Sequence, residues 1–344
     1  MTMDLRFGNI VISDSAPVVV IAEAACEHRG DLDEARRLVD LAKEAGADIV
    51  KFQLHLPEEE MIQNSIRFWA GSMDEVLARV NLPAKDHEVL MRHCQTVGIQ
   101  YLCTPFCAKA ADILDELGLE AFKTGSGEMT NIPMLRHIAR KKKPMIVSTG
   151  MANVDEIQET VDALRKEEAA FMLMNCTSAY PPRAEEVKLG FIPVMRQMFG
   201  TLVGYSDHAT DMWAVLGAVA MGAKVIEKHF TPDRALKGPD HFISLEPKEF
   251  RAMVGAIRNL ESALGADKKV HPGEEEVRRW AHHSVVTLCE IRAGVQIAPS
   301  MVGVKRPGWG VPAKHLEDFY GRIAVRDIAA NSLLGWEDVR GGAA

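Results

Sequence analysis

Eight short, almost continuously apolar runs recur between residues 18 and 230, and each is followed by a stretch with helical periodicity. The runs are VVVIAEA (18–24), DIVKFQL (48–54), IQYLCTP (99–105), EAFKTG (120–125), PMIVSTG (144–150), FMLMNCT (171–177), TLVGYSD (201–207) and AKVIEKHF (223–230). A run with so few polar residues suits a parallel strand covered on both faces. The first helical stretch, 31–45, carries Leu32, Ala35, Leu38, Val39 and Ala42 at three-and-four spacing, opened by Asp31 and closed by Gly46. Similar stretches occupy 85–97, 107–117, 131–141, 153–166, 187–199, 209–221 and 247–264. Eight strand–helix units in about 250 residues predict an α/β chain closed into a (β/α)8 TIM barrel. The alternative, an open doubly wound sheet, would need a GxGxxG turn after the first strand, and none is there.

The texture changes after residue 264. GADKKVHPGEEEV (265–277) is polar and charged and reads as a linker. SVVTLCEI, GVQIA, MVGVKRPG and RIAVRDI follow as short strand-like pieces broken by Gly and Pro. The expected organisation is a catalytic barrel over 1–264, a linker over 265–277 and a small β-rich domain over 278–344.

With 344 residues, 47% of them hydrophobic, the chain can bury a large core without disulfide staples. Its net charge of −8 argues against a nucleic-acid partner, which needs a basic face. No apolar run reaches the roughly 18–20 residues of a membrane span, so no membrane partner is expected. MTMDLRFGNI lacks the basic-then-apolar order of a signal peptide. The six cysteines include no CxxC pair and read as reduced thiols of a cytoplasmic protein.

In such a barrel the chemistry sits where strands end. Here those ends carry Glu23, Lys51, Gln53, Thr104, Lys123, Ser126, Glu128, Ser148, Ser178, Tyr180, Ser206, Asp207, His208, Glu227 and His229. Unpaired charges are costly inside a strand, so this recurrence points to a site. Strand alternation puts Lys51 and Gln53 on one face, and Glu227 and His229 on one face with Lys228 on the other. Two near-buried lysines, Lys51 and Lys123, need anions: a substrate phosphate or carboxylate, or a barrel carboxylate such as Glu23 or Glu128. The TGSGE turn and STGM (148–151) can add backbone N–H groups to an anion seat. His208 and His229 end neighbouring strands and suit a divalent first-row metal, with Asp207, Glu227 or Asp240 to orient them or move protons. Glu23, Glu128, Asp207, Glu227 and Asp240 are the candidate acids and bases. Thr104, Ser178 and Ser206 are further candidate substrate contacts.

Taken in order, IAEAACEHRGDLDEA, GADIVKFQ, TPF, FKTGSGEMTNIPML, MIVSTGMA, CTSAYP, GYSDHA, VIEKHFT, GPDHFISLEP and VKRPGWG resemble the sialic acid synthase family, which includes N-acetylneuraminate, legionaminate and pseudaminate synthases. The resemblance covers nearly the whole chain. It implies a TIM barrel followed by a SAF (antifreeze-like) domain, in a domain-swapped homodimer. It implies condensation of phosphoenolpyruvate with an N-acyl amino-hexose, N-acetylmannosamine or a 2,4-diacetamido-trideoxy hexose, to a nine-carbon 2-keto sugar acid. By the same resemblance, His208 and His229 hold manganese, with magnesium or cobalt as substitutes. Lys51, Lys123, Ser126 and Ser148 bind phosphoenolpyruvate. Gln53, Tyr180 and Asp240 contact the sugar or metal-bound water, and Arg306 reaches the sugar's acyl-amino group across the dimer.

The chain departs from the family pattern in four places. EHRG replaces an Asn-His-Asn-Gly-like loop, altering Glu27 and Arg29, and IQNSIRFWAGSMDEV has no clear counterpart. Ser178 stands where some members carry Asn, and RRWAHHSVV differs from an Arg-Arg-Ser pattern. These fall where the sugar would be read. The rival readings are a phosphoenolpyruvate-dependent aldol synthase acting on a sugar phosphate, and a non-catalytic sugar-binding module.

Overall fold

The computed structural model describes residues 4–68, 71–236, 238 and 240–341. Trp69 and Ala70 of the unaligned segment, Pro239 of GPDHFISLEP and the last three residues lie outside that set. The chain forms two compact units, Met1–Gly265 and Ala266–Ala344.

The first unit is a closed parallel barrel. Its strands are β1 (Val19–Ala25), β2 (Ile49–Leu54), β3 (Gln100–Pro105), β4 (Phe122–Thr124), β5 (Met145–Ser148), β6 (Phe171–Cys176), β7 (Val203–Asp207) and β8 (Val225–His229). Each pairs with the next, and β8 pairs with β1 to close the ring. All eight expected strands are present, and a helix follows each: Leu32–Glu44, Ala84–Val97, Ala108–Glu116, Ile132–Ala139, Val154–Lys166, Phe191–Phe199, Trp213–Ala220 and Pro247–Ala263. The first starts where expected because the Asp31 carboxylate accepts the backbone N–H groups of Asp33 and Glu34.

Alternation along the strands makes two cores. Outward residues such as Val20, Ala22, Val50, Phe52 and Cys103 pack under the helices. Inward residues near the strand starts (Ile21, Ile49, Leu102, Ile146, Met172, Val225) make a second apolar layer. A hairpin of Leu5–Phe7 and Ile10–Ile12 packs its apolar side chains on that layer, in a stretch the sequence reading left without an element. The barrel is therefore apolar at its N-terminal mouth. The next inward residues are Glu23, Lys51, Lys123, Ser148, Cys176, Ser206 and Glu227, so polarity concentrates at the C-terminal mouth.

The second unit has its own core of Val285, Ile291, Ile297, Val302, Phe319, Ile328 and Leu334. Ser284–Thr287 pairs antiparallel with Val302–Lys305, and Ile323–Ala324 with Val339–Arg340. The stretch read as a linker over 265–277 is irregular only through His271; Pro272–Ala281 is a helix. Pro272 opens it, Glu274 and Glu275 sit in its first turn, and Arg278 and Arg279 in its last. That polarity complements the helix dipole, and the sequence reading took the same charges as part of a linker. Among the described residues, no helix is long and apolar enough to cross a membrane.

Candidate active site

A cavity of about 310 Å³ opens at the C-terminal ends of the barrel strands. Glu23, Lys51, Gln53, Thr104, Lys123, Ser126, Glu128, Ser148, Ser178, Tyr180, Ser206, His208, Glu227, His229 and Asp240 all line it. These residues are far apart in sequence, and the barrel brings them together because each ends, or follows, an inward-facing strand position.

One expected site residue, Asp207, does not line it. Asp207 points outward, since Ser206 takes the inward position of β7. Its carboxylate accepts hydrogen bonds from Lys228 Nζ (2.6 Å) and Tyr205 Oη (2.8 Å), and both ends of the Lys228 pair are fully buried. Asp207 is thus committed to a structural ion pair and is withdrawn as a candidate base. Arg306 belongs to the second unit, where its Nε donates to the Ala281 carbonyl at 3.0 Å and its guanidinium lies over Trp280.

One end of the cavity is cationic and hydroxyl-rich. Lys51 and Lys123 are only 3% and 2% exposed. Lys51 Nζ lies 2.6 Å from Glu23 Oε2 and donates to Thr104 Oγ1 at 3.1 Å. Glu227 stands between the two lysines, 3.8 Å from each. Burial would raise the Glu227 carboxyl, but Lys123 and Lys51 outweigh it and hold the group below the usual carboxylate range. Glu23 goes the other way: burial raises its carboxyl against the pull of Lys51. Burial also pushes Glu128 up to about 7. The Ser126 and Ser148 hydroxyls share a hydrogen bond of 2.8 Å. Gly150 makes room for this cluster, since a Cβ there would lie 2.5 Å from Ser126 Oγ and 2.4 Å from Ser178 Oγ.

The other end is built from imidazoles and carboxylates. The His208 and His229 ring centroids are 5.3 Å apart, and the Tyr180 ring lies 4.1 Å from that of His208, tilted by 37°. His208 Nδ1 donates to the Thr177 carbonyl at 2.8 Å, which leaves Nε2 as the lone-pair nitrogen. Burial first, with His208 and Lys51 beside it, pushes His229 well below the ordinary histidine range, so it is a neutral imidazole suited to a metal. Among the described residues its buried Nδ1 has no hydrogen-bond partner, and Asp240 Oδ2 lies 3.9 Å away. Glu27, His229 and Asp240 each offer a ligand atom within 4.8 Å of the others. A neutral imidazole beside two carboxylates fits a divalent cation.

Residues 38–269 match the NeuB family. The chain belongs to the NeuB family. Residues 282–340 of this NeuB-family chain match the SAF domain. It is 37% identical to the N,N'-diacetyllegionaminic acid synthase of Campylobacter jejuni, over 92% of this chain and 98% of that protein. It is 34% identical to the human N-acetylneuraminate-9-phosphate synthase, over 84% of this chain and 83% of that protein. Its fold is similar to that of an N-acetylneuraminic acid synthetase from Leptospira borgpetersenii, with a TM-score of 0.73 and 34% identity over 80% of this chain and 95% of that one. Among NeuB-family chains, then, this one shares the barrel and the small domain with enzymes whose names describe synthases.

Two residues that line the cavity, Cys176 and Phe106, and one beside its histidine end, Glu27, were not assigned a role from the sequence. Cys176 ends β6, 3.6 Å from Ser126 Oγ and 4.0 Å from His208 Nδ1. Burial opposes its ionisation, yet His208, Ser126 and Lys123 bring the thiol down to about 7. Its inward register on β6 was the available signal. Phe106 also lines the cavity, on the β3 loop. Glu27 was noted only as a departure from a loop pattern. Ala25, at φ 41°, and a register shift between β1 and β2 turn the chain so that Glu27 meets His229.

Proposed function

We propose that this NeuB-family enzyme condenses phosphoenolpyruvate with the open-chain aldehyde of an N-acyl amino-hexose, giving a nine-carbon 2-keto sugar acid and inorganic phosphate. The chain is an enzyme of the synthase type, one that forms a carbon–carbon bond. The observation that carries the substrate assignment is the cavity's division into a lysine–serine end and an imidazole–carboxylate end.

Phosphoenolpyruvate is doubly or triply anionic, and Lys51, Lys123, Ser126 and Ser148 offer it charge-assisted hydrogen bonds. In the absence of ligand the lysines are neutralised by Glu23 and Glu227. Because burial raises Glu23, a proton taken up there frees Lys51 for the incoming anion. The sugar aldehyde lies beside Gln53, Tyr180 and Asp240. His208 and His229 would hold a divalent cation, manganese in this reading, which would supply Lewis acidity toward the aldehyde oxygen.

The enol carbon of phosphoenolpyruvate bonds to the aldehyde carbon, and the aldehyde oxygen takes up a proton. Water adds to the electron-poor carbon that bears the phosphate, losing a proton to a cavity carboxylate. The hydroxyl formed on that carbon then gives up its proton, the carbon–oxygen bond to phosphate breaks, and the 2-keto acid and inorganic phosphate remain, the proton passing through the cavity carboxylates to the phosphate. Glu128, held at about 7, can keep the proton that the departing phosphate requires. Holding two reactants in one enclosed site contributes about 7–11 kcal/mol in well-oriented cases.

On the same reading the protein is a cytoplasmic, domain-swapped homodimer in which Arg306 reaches the sugar's acyl-amino group. The SAF-domain match supports the dimer, and the free cysteines suit that compartment. The test is phosphate release from phosphoenolpyruvate with manganese, across N-acetylmannosamine, 2,4-diacetamido-trideoxy hexoses and arabinose 5-phosphate. Release with an N-acyl sugar supports the assignment. Release only with the sugar phosphate moves the enzyme to the related aldol synthases.

A further inference from the structure

Glu27 is 2% exposed, and among the described residues neither of its carboxylate oxygens has a well-formed hydrogen bond. His241 Nδ1 lies against it. That nitrogen also lies 2.7 Å from Thr231 Oγ1. The Thr231 hydroxyl donates to the Asp233 carbonyl at 3.1 Å, so it accepts from His241, and Nδ1 carries the proton. One N–H shared between Thr231 and Glu27 fixes the carboxylate's direction and leaves most of its acceptor capacity unused.

What faces that unused capacity is His229, whose buried Nδ1 is equally unpartnered, and Asp240. The three groups are too far apart for direct hydrogen bonds throughout, yet their ligand atoms fall within 4.8 Å of one another. Cation–oxygen distances of about 2.1–2.2 Å put neighbouring ligands about 3–4.5 Å apart. A cation among them would satisfy several buried acceptors at once, where leaving them unpaired costs free energy.

We propose that Glu27 is a carboxylate ligand of the same divalent cation that His208 and His229 would hold, with Asp240 beside it, and that His241 and Thr231 keep Glu27 in place. Two carboxylates make the site anionic, and a second oxygen ligand raises its affinity for manganese, which prefers oxygen donors, more than for zinc, which imidazole also suits. The proposal rests on the reading of this cavity as a metal site, and it adds both a residue and a preference to that reading.

The test compares wild type with Glu27→Gln, which keeps the volume and removes the charge. Manganese and zinc affinities are measured by titration calorimetry on the metal-stripped, full-length protein, with its melting temperature followed in parallel. The expected result is a manganese affinity weakened roughly 10–100-fold, with zinc weakened clearly less. An unchanged manganese affinity overturns the proposal. So does an equal loss for both metals, which would make Glu27 a positioning residue for His229. If Glu27→Gln lowers the metal-free melting temperature, Glu27→Asp carries the same comparison: it keeps the charge but withdraws the carboxylate. There the expected outcome is a manganese-selective loss, and an unchanged affinity counts against ligation. Wild type that binds neither metal removes the metal site itself, a failure distinct from an unaffected Glu27 variant.

Discussion

Lys51 Nζ and Glu23 Oε2 meet at 2.6 Å across β1 and β2, with both side chains almost wholly buried. On the proposed function the pair links stability to substrate binding, because the ammonium group that pairs with Glu23 would also serve the anion. Lys51→Met leaves Glu23 buried without its cation. Glu23 then stays protonated to still higher pH, so the variant's deficit in stability grows as pH rises. Melting curves at pH 6 and pH 8.5 should show the larger loss at pH 8.5. The value of kcat/KM for phosphoenolpyruvate should fall by about 10²–10³-fold. Equal losses at both pH values would mean that the pair is electrostatically silent.

Asp207 and Lys228 form a second buried pair, turned away from the cavity. Asp207→Ala strands an ammonium group in the apolar layer under the helices. The expected cost is about 3–5 kcal/mol by urea denaturation. Replacing both partners, with Asp207→Leu and Lys228→Met, should recover most of it. Turnover per folded molecule should stay within the wild-type order of magnitude. A collapse of kcat with stability intact would return Asp207 to the chemistry.

The Cys176 thiol, brought down to about 7 beside His208, should be the reactive thiol of the barrel. Burial pushes Cys94 and Cys103 up to about 12, and these should resist modification. Iodoacetamide labelling of Cys176, followed by peptide mapping, should rise through about pH 7 and be slowed by phosphoenolpyruvate. Labelling without protection would place Cys176 outside the anion seat.

Glu128 carries a folded-state value of about 7 against 4.5 for the free side chain, with burial as the cause. Between these values the native protein binds a proton that the unfolded chain has lost. Stability attributable to Glu128 is therefore full below about pH 4.5 and lost as pH rises through about 7. Glu128→Gln removes that dependence. Its melting temperature should match wild type near pH 4.5 and exceed it at pH 8. The same variant should lose turnover if Glu128 supplies the proton to the departing phosphate. A melting difference independent of pH would show that the carboxyl is not held protonated.

The barrel was legible in the sequence because a parallel strand buried on both faces leaves a continuous apolar run, and the intervening helices leave a three-and-four period. Period-two alternation also placed Lys51 with Gln53, and Glu227 with His229, on shared inward faces. Alternation already set Lys228 opposite Glu227 and His229, but it did not say that Asp207 points the same way. That needed the pairing of β7 with β8. The helix at Pro272–Ala281 was hidden because its charges complement a dipole that exists only once the helix has formed.

The sequence by itself determined the architecture, the strand ends that carry chemistry and the family, since each depends on local pattern and order along the chain. Tertiary structure decided which charges neutralise one another and which acceptors remain unpaired. Lys51 against Glu23, Asp207 against Lys228 and Glu27 beside His229 are contacts between elements remote in the chain. Their energies depend on distances of a few ångströms and on burial from water, neither of which is written in residue order.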